Sequence, residues 1–242
     1  MEFAAQHRLS PPPILTATLA GQNLSAQVNS DQGHVSDANE AIPDGNTAYF
    51  VCVGTIERRK NYELLLRVWS RLKARLGQAC PMLIIIGQLG PQSGHVMKAY
   101  RAKPELKDLV RFVTDAPDAQ LGKLVAGARG LLMPTLAEGF GLPMLEALQL
   151  GTPVIASDIP SLREIGQGIP LFIERSNDKG WEQAIETFSD PGSDRDRQLG
   201  LMPEFVNPTW DSHFSTVDHW LNSLGRSTAS PDESLINSCL HA

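Results

Sequence analysis

The sequence predicts an α/β fold, a doubly wound parallel sheet of the Rossmann-like kind, in a single domain with flexible termini. Three observations predict it. Six short apolar runs alternate with helical segments, the pattern of a parallel sheet covered on both faces. Residues 130–157 read as strand, glycine-rich loop, helix and strand, which is a right-handed parallel crossover. The 242 residues, 42% hydrophobic and 20% charged, are ordinary for a soluble globular protein and enough for a full core.

Each element has its own justification. Residues 1–46 are rich in Pro, Ser, Asn, Gln, Asp and Gly with no sustained period, and read as a linker or the remnant of a missing N-terminal domain. Ala48 to Val53 form an apolar strand that ends at Gly54. Over Tyr62 to Leu76, the residues Leu64, Leu65, Val68, Trp69, Leu72 and Leu76 fall on one stripe at helical spacing, with Asn61 as N-cap and Gly77 as the stop. Met82 to Ile86, ending at Gly87, is the second strand, Val96 to Ala102 a short helix, and Leu109 to Val113 the third strand. Pro117 to Ala128 is a helix opened by a proline and an aspartate. Leu131 to Met133 is the fourth strand, ended by Pro134. Leu142 to Leu150 carries good helix formers, with Pro143 suited to the first turn and Gly151 placed for a C-terminal cap. Val154 to Ala156 and Leu171 to Ile173 are the fifth and sixth strands. Helices at Trp181 to Phe188 and Asp211 to Leu224 finish a domain spanning residues 47–224, and residues 225–242 read as a tail.

Composition removes several classes of function. The net charge is −6 and no basic stripe offsets phosphate repulsion, which argues against a general nucleic-acid binder. Cys52, Cys80 and Cys239 show neither metal-ligand nor redox spacing, so no metal and a reduced, cytoplasmic setting are expected. Cys52 and Cys80 lie in or beside apolar runs and read as buried small hydrophobes. No apolar run approaches the roughly 20 residues of a spanning helix. Pro11-Pro12-Pro13 and the polar residues after Ile14 to Ala20 argue against a signal peptide. Gly87 to Gly94 follows a strand but lacks the dinucleotide glycine spacing and carries Pro91 inside the turn, which disfavours an oxidoreductase.

The most informative segment is Ala137-Glu138-Gly139-Phe140-Gly141-Leu142-Pro143-Met144-Leu145-Glu146-Ala147. Two carboxylates bracket two glycines that expose backbone N–H groups and a proline fit for a helix start, as a polar-ligand site requires. Ligands of such sheets bind beyond the carboxyl ends of the strands, where this loop falls. Three further segments leave strand ends on the same edge. Glu57-Arg58-Arg59-Lys60 can neutralise a diphosphate by forked and point-charge hydrogen bonds, or form a solvated charge cluster. Arg111 to Asp115 can offer backbone groups to a nucleobase. Ser157-Asp158 through Leu162-Arg163-Glu164 can line a sugar, or form a polar loop with a helix cap.

Gly54-Thr55-Ile56-Glu57-Arg58-Arg59-Lys60-Asn61, Glu138 to Leu148 and Gly151 to Asp158 closely resemble the C-terminal half of a glycosyltransferase family 4 enzyme of the GT-B fold. The resemblance covers about residues 47–224 in order. It implies a retaining hexosyltransferase that moves mannose or glucose from a UDP- or GDP-hexose, with no cofactor and no metal, in polysaccharide biosynthesis. It implies a GT-B C-terminal-type, nucleotide-sugar-binding domain. The catalytic residues it implies are Glu138, Lys60 and Arg59, with Arg59 and Lys60 on the donor diphosphate and Glu138 near the sugar hydroxyls. Glu146 takes the ribose hydroxyls as a carboxylate acceptor. Backbone N–H groups around Gly139, Phe140, Gly141 and Leu142 hold sugar and phosphate. Gly54, Thr55, Arg58, Phe112 and Val113 complete the donor site. Where many members carry an arginine after the first-strand glycine, this chain has Thr55, and Arg58 is the substitute at hand. A GT-B enzyme has a second Rossmann-like domain for the acceptor. The resemblance therefore implies a partner, a separate N-terminal acceptor-domain protein, with peripheral membrane association through that half and no transmembrane segment. The alternative is a non-catalytic nucleotide-sugar-binding module or a truncated remnant.

Overall fold

The computed structural model describes residues 13–22, 24, 47–188, 190 and 192–226. They form six strands and eight α-helices. The elements are β1 (Tyr49–Val53), α1 (Tyr62–Leu76), β2 (Met82–Ile86), α2 (Ser93–Arg101), β3 (Val110–Val113), α3 (Asp118–Ala126), β4 (Gly130–Met133), α4 (Leu142–Gln149), β5 (Val154–Ser157), α5 (Pro160–Gly166), β6 (Leu171–Ile173), α6 (Asp178–Thr187), α7 (Asp194–Leu201) and α8 (Trp210–Arg226).

All strand pairings are parallel, in the order β3-β2-β1-β4-β5-β6. This is the strand order of a doubly wound sheet. Because successive side chains on a strand face opposite ways, each apolar run supplies two cores. On one face Phe50, Leu83, Ile85, Leu132 and Ile155 pack beneath α1 and α6, whose Trp69, Leu72, Trp181 and Ile185 are fully buried. On the other, Val51, Ile84, Leu131, Met133, Val154 and Ala156 pack beneath α3, α4 and α5. Trp69 adds a polar tie, its indole N–H donating to Pro81 O at 2.8 Å. Cys52 and Cys80 are buried free thiols, as expected, and burial pushes the Cys52 thiol up to about 12. Cys239 lies outside the described residues.

The elements read from sequence are present with shifted ends. Two further helices, α5 and α7, were not anticipated. Pro160 opens α5 as a first-turn proline inside what reads as a polar loop. In α7, charged residues leave no apolar stripe, and the helix is held instead by Gln198. That side chain is fully buried, accepts from Val154 N at 2.8 Å and donates to Val154 O at 3.0 Å. Asn61 stands at the N-cap of α1 without capping it, since its side chain reaches elsewhere.

The described residues divide into two compact units. Gly21–Asn207 contain the whole sheet, and the described parts of residues 1–20 and 208–242 form the second. The helix expected to finish the sheet domain is thus α8 of the second unit. In it Trp210, His213 and Phe214 make an aromatic cluster, and His213 Nδ1 lies 3.0 Å from Thr18 O. Most of the expected 1–46 linker and of the 225–242 tail lies outside the described residues.

Candidate donor site

β1 and β4 are neighbours, yet the chain leaves β1 toward β2 and β4 toward β5. The two crossovers run in opposite directions, so the carboxyl edge at β1 and β4 is the switch point of the sheet. The basic turn and the two-glutamate loop both lie there.

The basic turn starts at Gly54, whose φ of 137° suits glycine and where a Cβ would stand 3.1 Å from Lys60 Cε. Arg58–Lys60 form a 3-10 turn, and Asn61 leaves it at a left-handed φ of 56°. Lys60 is only 9% exposed and its Nζ donates to Glu138 Oε2 at 2.6 Å. The exposed Arg59 donates to Glu57 Oε1 at 2.7 Å, Glu138 Oε1 at 3.3 Å and Ala137 O at 3.1 Å. Two cations thus face two carboxylates, and only the Lys60–Glu138 pair is shielded, with side chains 11% exposed on both sides. Such a pair holds position more than it stabilises.

The loop after β4 has its polarity sorted. Pro134 O accepts from Asn61 Nδ2 at 3.0 Å and Leu136 O from Arg175 Nη1 at 2.7 Å. Ala137 O accepts from Thr135 Oγ1 at 2.7 Å, and Glu138 O from Ser161 Oγ at 2.9 Å. Among the described residues, the amides of Gly139, Phe140, Gly141 and Leu142 donate to no backbone acceptor. The loop's acceptors are thus tied to side chains, while its last amides stand at the start of α4, where the helix dipole favours an anion. Gly141 makes the turn at φ 102°, pressed against Leu162 and Ile165 of α5.

Glu146 lies one turn further into α4, half-buried, with Gln22 N donating to its Oε1 at 3.4 Å. Burial pushes its carboxyl above the usual range; the nearby Asp118 charge adds to this and the Gln22 amide opposes it.

The remaining expected residues are placed less closely. Phe112 and Val113 end β3, the edge strand, with β2 and β1 between them and β4. Val113 O accepts from Gly87 N at 2.9 Å, and Phe112 packs edge-on against Tyr100 at 5.0 Å. Arg58 and Thr55 are exposed, and Thr55 lies against Gly90. In the segment after β5, Asp158 pairs with Arg163 on the surface, while Ser161 reaches the Glu138 loop. A cavity of about 510 Å³ along β6 and α6, lined by Phe172, Asn177 and Gln183 among others, contains none of the expected site residues. Asn61, Thr135, Ser161, Arg175 and Gln22 carry the loop geometry and were not singled out for it in the sequence. A polar Thr135 directly after the strand-ending Pro134 was the one available signal.

Parallel strand order with its switch point between β1 and β4 puts the domain in the Rossmann-like α/β class. Residues 36–198 match the family described as "Glycosyl transferases group 1", and the chain belongs to that family. It has the fold of the C-terminal half of a GT-B glycosyltransferase.

Relatives include the serotype-specific mannosyltransferase WbdA of Escherichia coli, 33% identical over 164 residues, covering 66% of this chain and 20% of that protein. The O-antigen chain mannosyltransferase RfbU of Salmonella typhimurium is 31% identical over 143 residues, covering 57% and 37%. Among solved structures, the sucrose-phosphate synthase of Thermosynechococcus elongatus superposes with a TM-score of 0.68 at 20% identity, covering 94% of this chain and 57% of that one. WaaG, a glycosyltransferase involved in lipopolysaccharide biosynthesis, gives 0.67 at 16% identity, covering 90% and 58%. The chain therefore spans about a fifth to under three-fifths of the length of these relatives. Among the described residues no helix is long and apolar enough to cross a membrane.

Proposed function

We propose that this chain binds a nucleotide-diphosphate hexose and supplies the donor-binding half of a retaining hexosyl transfer. Lys60 and Arg59 take the diphosphate, and the amides of Gly139 to Leu142 share its charge. Glu146 accepts the ribose hydroxyls and Glu138 the sugar hydroxyls. Catalysis on this reading is stabilisation of the leaving diphosphate together with positioning, with no protein nucleophile and no metal. The observation that carries it is the meeting of Lys60 and Glu138 at 2.6 Å, on the loop whose next four amides donate to no backbone acceptor among the described residues, at the switch point of the sheet. The mannosyltransferase relatives support mannose as the hexose. The neighbouring structure titled Anabaena Alr3699/HepE in complex with UDP-glucose, at a TM-score of 0.64, supports a nucleotide sugar as the ligand class. The acceptor is bound by a second Rossmann-like domain on a separate N-terminal acceptor-domain protein, and the setting is cytoplasmic.

A thermal-shift panel of UDP-, GDP- and ADP-sugars on the wild-type chain and on Glu146→Ala tests this. A true donor at a hundred times its dissociation constant adds about 2.7 kcal/mol of stability. Absence of a shift with every sugar nucleotide refutes the donor site, and an equal shift in the variant removes Glu146 from the ribose.

A further inference from the structure

We infer that Asn61 and Thr135 are positioning residues that latch the basic turn after β1 onto the loop after β4, so that Lys60 meets Glu138 in one fixed geometry. The inference rests on the donor-site reading above and names what holds that site in shape.

Arg59 O is the junction. It accepts from Leu136 N at 2.8 Å and lies 3.1 Å from Thr135 Oγ1, which is also 2.7 Å from Ala137 O. One hydroxyl proton serves two carbonyls, one from each loop. Thr135 is only 1% exposed, so water cannot replace what its hydroxyl gives up.

Asn61 supplies the second tie. It is one of two non-glycine residues at positive φ among those described, and at 56° it ends the 3-10 turn and opens α1 in a single step. Asparagine tolerates this conformation better than most residues, and such a conformation persists only where the surroundings impose it. Its side chain leaves the helix start uncapped and donates to Pro134 O at 3.0 Å instead. Both ties bracket Lys60 in sequence or in space. A lysine is a point charge on a flexible four-carbon stem, so its direction has to come from the turn that carries it. The latch fixes that turn against the carboxylate's own loop.

The test titrates UDP and GDP calorimetrically into the full chain as wild type, Thr135→Val, Thr135→Ser and Asn61→Gly. Asn61→Gly keeps the backbone conformation and removes only the side-chain tie. Thr135→Val and Asn61→Gly should weaken the nucleoside diphosphate about three- to tenfold, and Thr135→Ser should restore wild-type affinity. In a Lys60→Met background, Thr135→Val should cause less than about a twofold further loss, because the latch acts through that lysine. A full multiplicative loss in that background overturns the proposal. A second measurement needs no nucleotide: the rate at which acetic anhydride modifies Lys60, followed by mass spectrometry. That rate should rise several-fold in Thr135→Val and Asn61→Gly with the other lysines unchanged, and an unchanged Lys60 rate overturns the latch. If the wild-type chain binds neither nucleotide, the donor-site reading falls and the acetylation rates decide the latch by themselves.

Discussion

Gly139 and Gly141 sit two residues apart in the same loop, and alanine at each should have opposite effects. At Gly141 the backbone has φ 102°, and a Cβ would stand 2.6 Å from Leu162 Cδ2 and 2.9 Å from Ile165 Cδ1. Left-handed backbone in an L-residue costs about 1–2 kcal/mol. Leu162 and Ile165 are themselves buried, so the added methyl overpacks a filled space, at about 1–3 kcal/mol. Gly141→Ala should therefore lose about 2–5 kcal/mol, which for a chain of this size lowers the melting temperature by roughly 4–20 °C. At Gly139 the φ lies outside the left-handed region, and a Cβ would meet nothing within 4 Å. Gly139→Ala should melt with wild type or up to about 1 kcal/mol above it, because alanine restricts the unfolded chain. If the loop receives a sugar nucleotide, that same methyl crowds the ligand, so Gly139→Ala should bind the donor more weakly while folding normally. Urea unfolding and thermal melts measure the first difference, and calorimetric titration the second. A Gly141→Ala chain as stable as wild type, or a Gly139→Ala chain that loses as much, would refute the reasoning.

Four further outcomes follow from the same contacts. Glu138→Gln takes the opposing charge from Lys60 and leaves Arg59 to Glu57 and Ala137 O, so affinity for UDP or GDP alone should rise about three- to tenfold, while the hexose-bearing donor gains less or loses; equal changes for both would remove Glu138 from the sugar. Burial raises the Glu146 carboxyl, so the folded chain binds its proton more tightly than the unfolded chain, and stability falls as pH rises from the ordinary carboxylate value to the raised one. Glu146→Gln should then melt above wild type at pH 7 and level with it well below about pH 4, where a pH-independent difference would contradict the cause given. Gln198→Ala strands both backbone groups of Val154 and should cost about 2–4 kcal/mol in urea unfolding, with loss under 1 kcal/mol counting against the bracket. Asn177 Oδ1 accepts from Gly180 N at 2.9 Å as the cap of α6, and Asn177→Ala should lose about 1 kcal/mol by the same measurement.

The strands were legible because a strand buried on both faces is written as an uninterrupted apolar run, and Met82 to Ile86 is apolar at every position. Helix α1 was legible for the complementary reason, its stripe repeating at helical spacing. Helix α7 was not, since Asp194, Arg195, Asp196 and Arg197 show no stripe and its anchor is one glutamine reaching across 44 residues of sequence. At the site, the charged groups announced themselves: Arg59, Lys60 and Glu138 were expected together and lie together. The carbonyl ties were hidden, because a threonine or serine that bonds a backbone oxygen looks in sequence like any loop residue. Asn61 shows the limit most clearly. An asparagine before an apolar stripe reads as a cap by local rules, and the tertiary partner Pro134 O overrides them.

On the proposed donor-site reading, those hidden ties bear on how an acidic chain would hold an anion. With a net charge of −6, the long-range field repels a diphosphate, but that field fades over about 8 Å at physiological salt. Inside that distance the switch point offers two cations and a run of amides without backbone acceptors among the described residues. Their effect depends on the neighbouring carbonyls being turned away, since each carbonyl left facing the anion would cancel an amide beside it. Asn61, Thr135, Ser161 and Arg175 take up those carbonyls from four separate segments, so the donor surface belongs to the folded sheet and not to the glycine loop alone. The two cations differ in what they need. Arg59 is exposed and shares its forks among three acceptors, so it can turn to a ligand without moving the backbone. Lys60 is buried and donates to Glu138 at 2.6 Å, so on the proposed reading an incoming diphosphate would compete with Glu138 for it. On that reading a carboxylate released from the lysine keeps only its 3.3 Å contact with the exposed Arg59 and has acceptor capacity to spare, which a ring of sugar hydroxyls would satisfy.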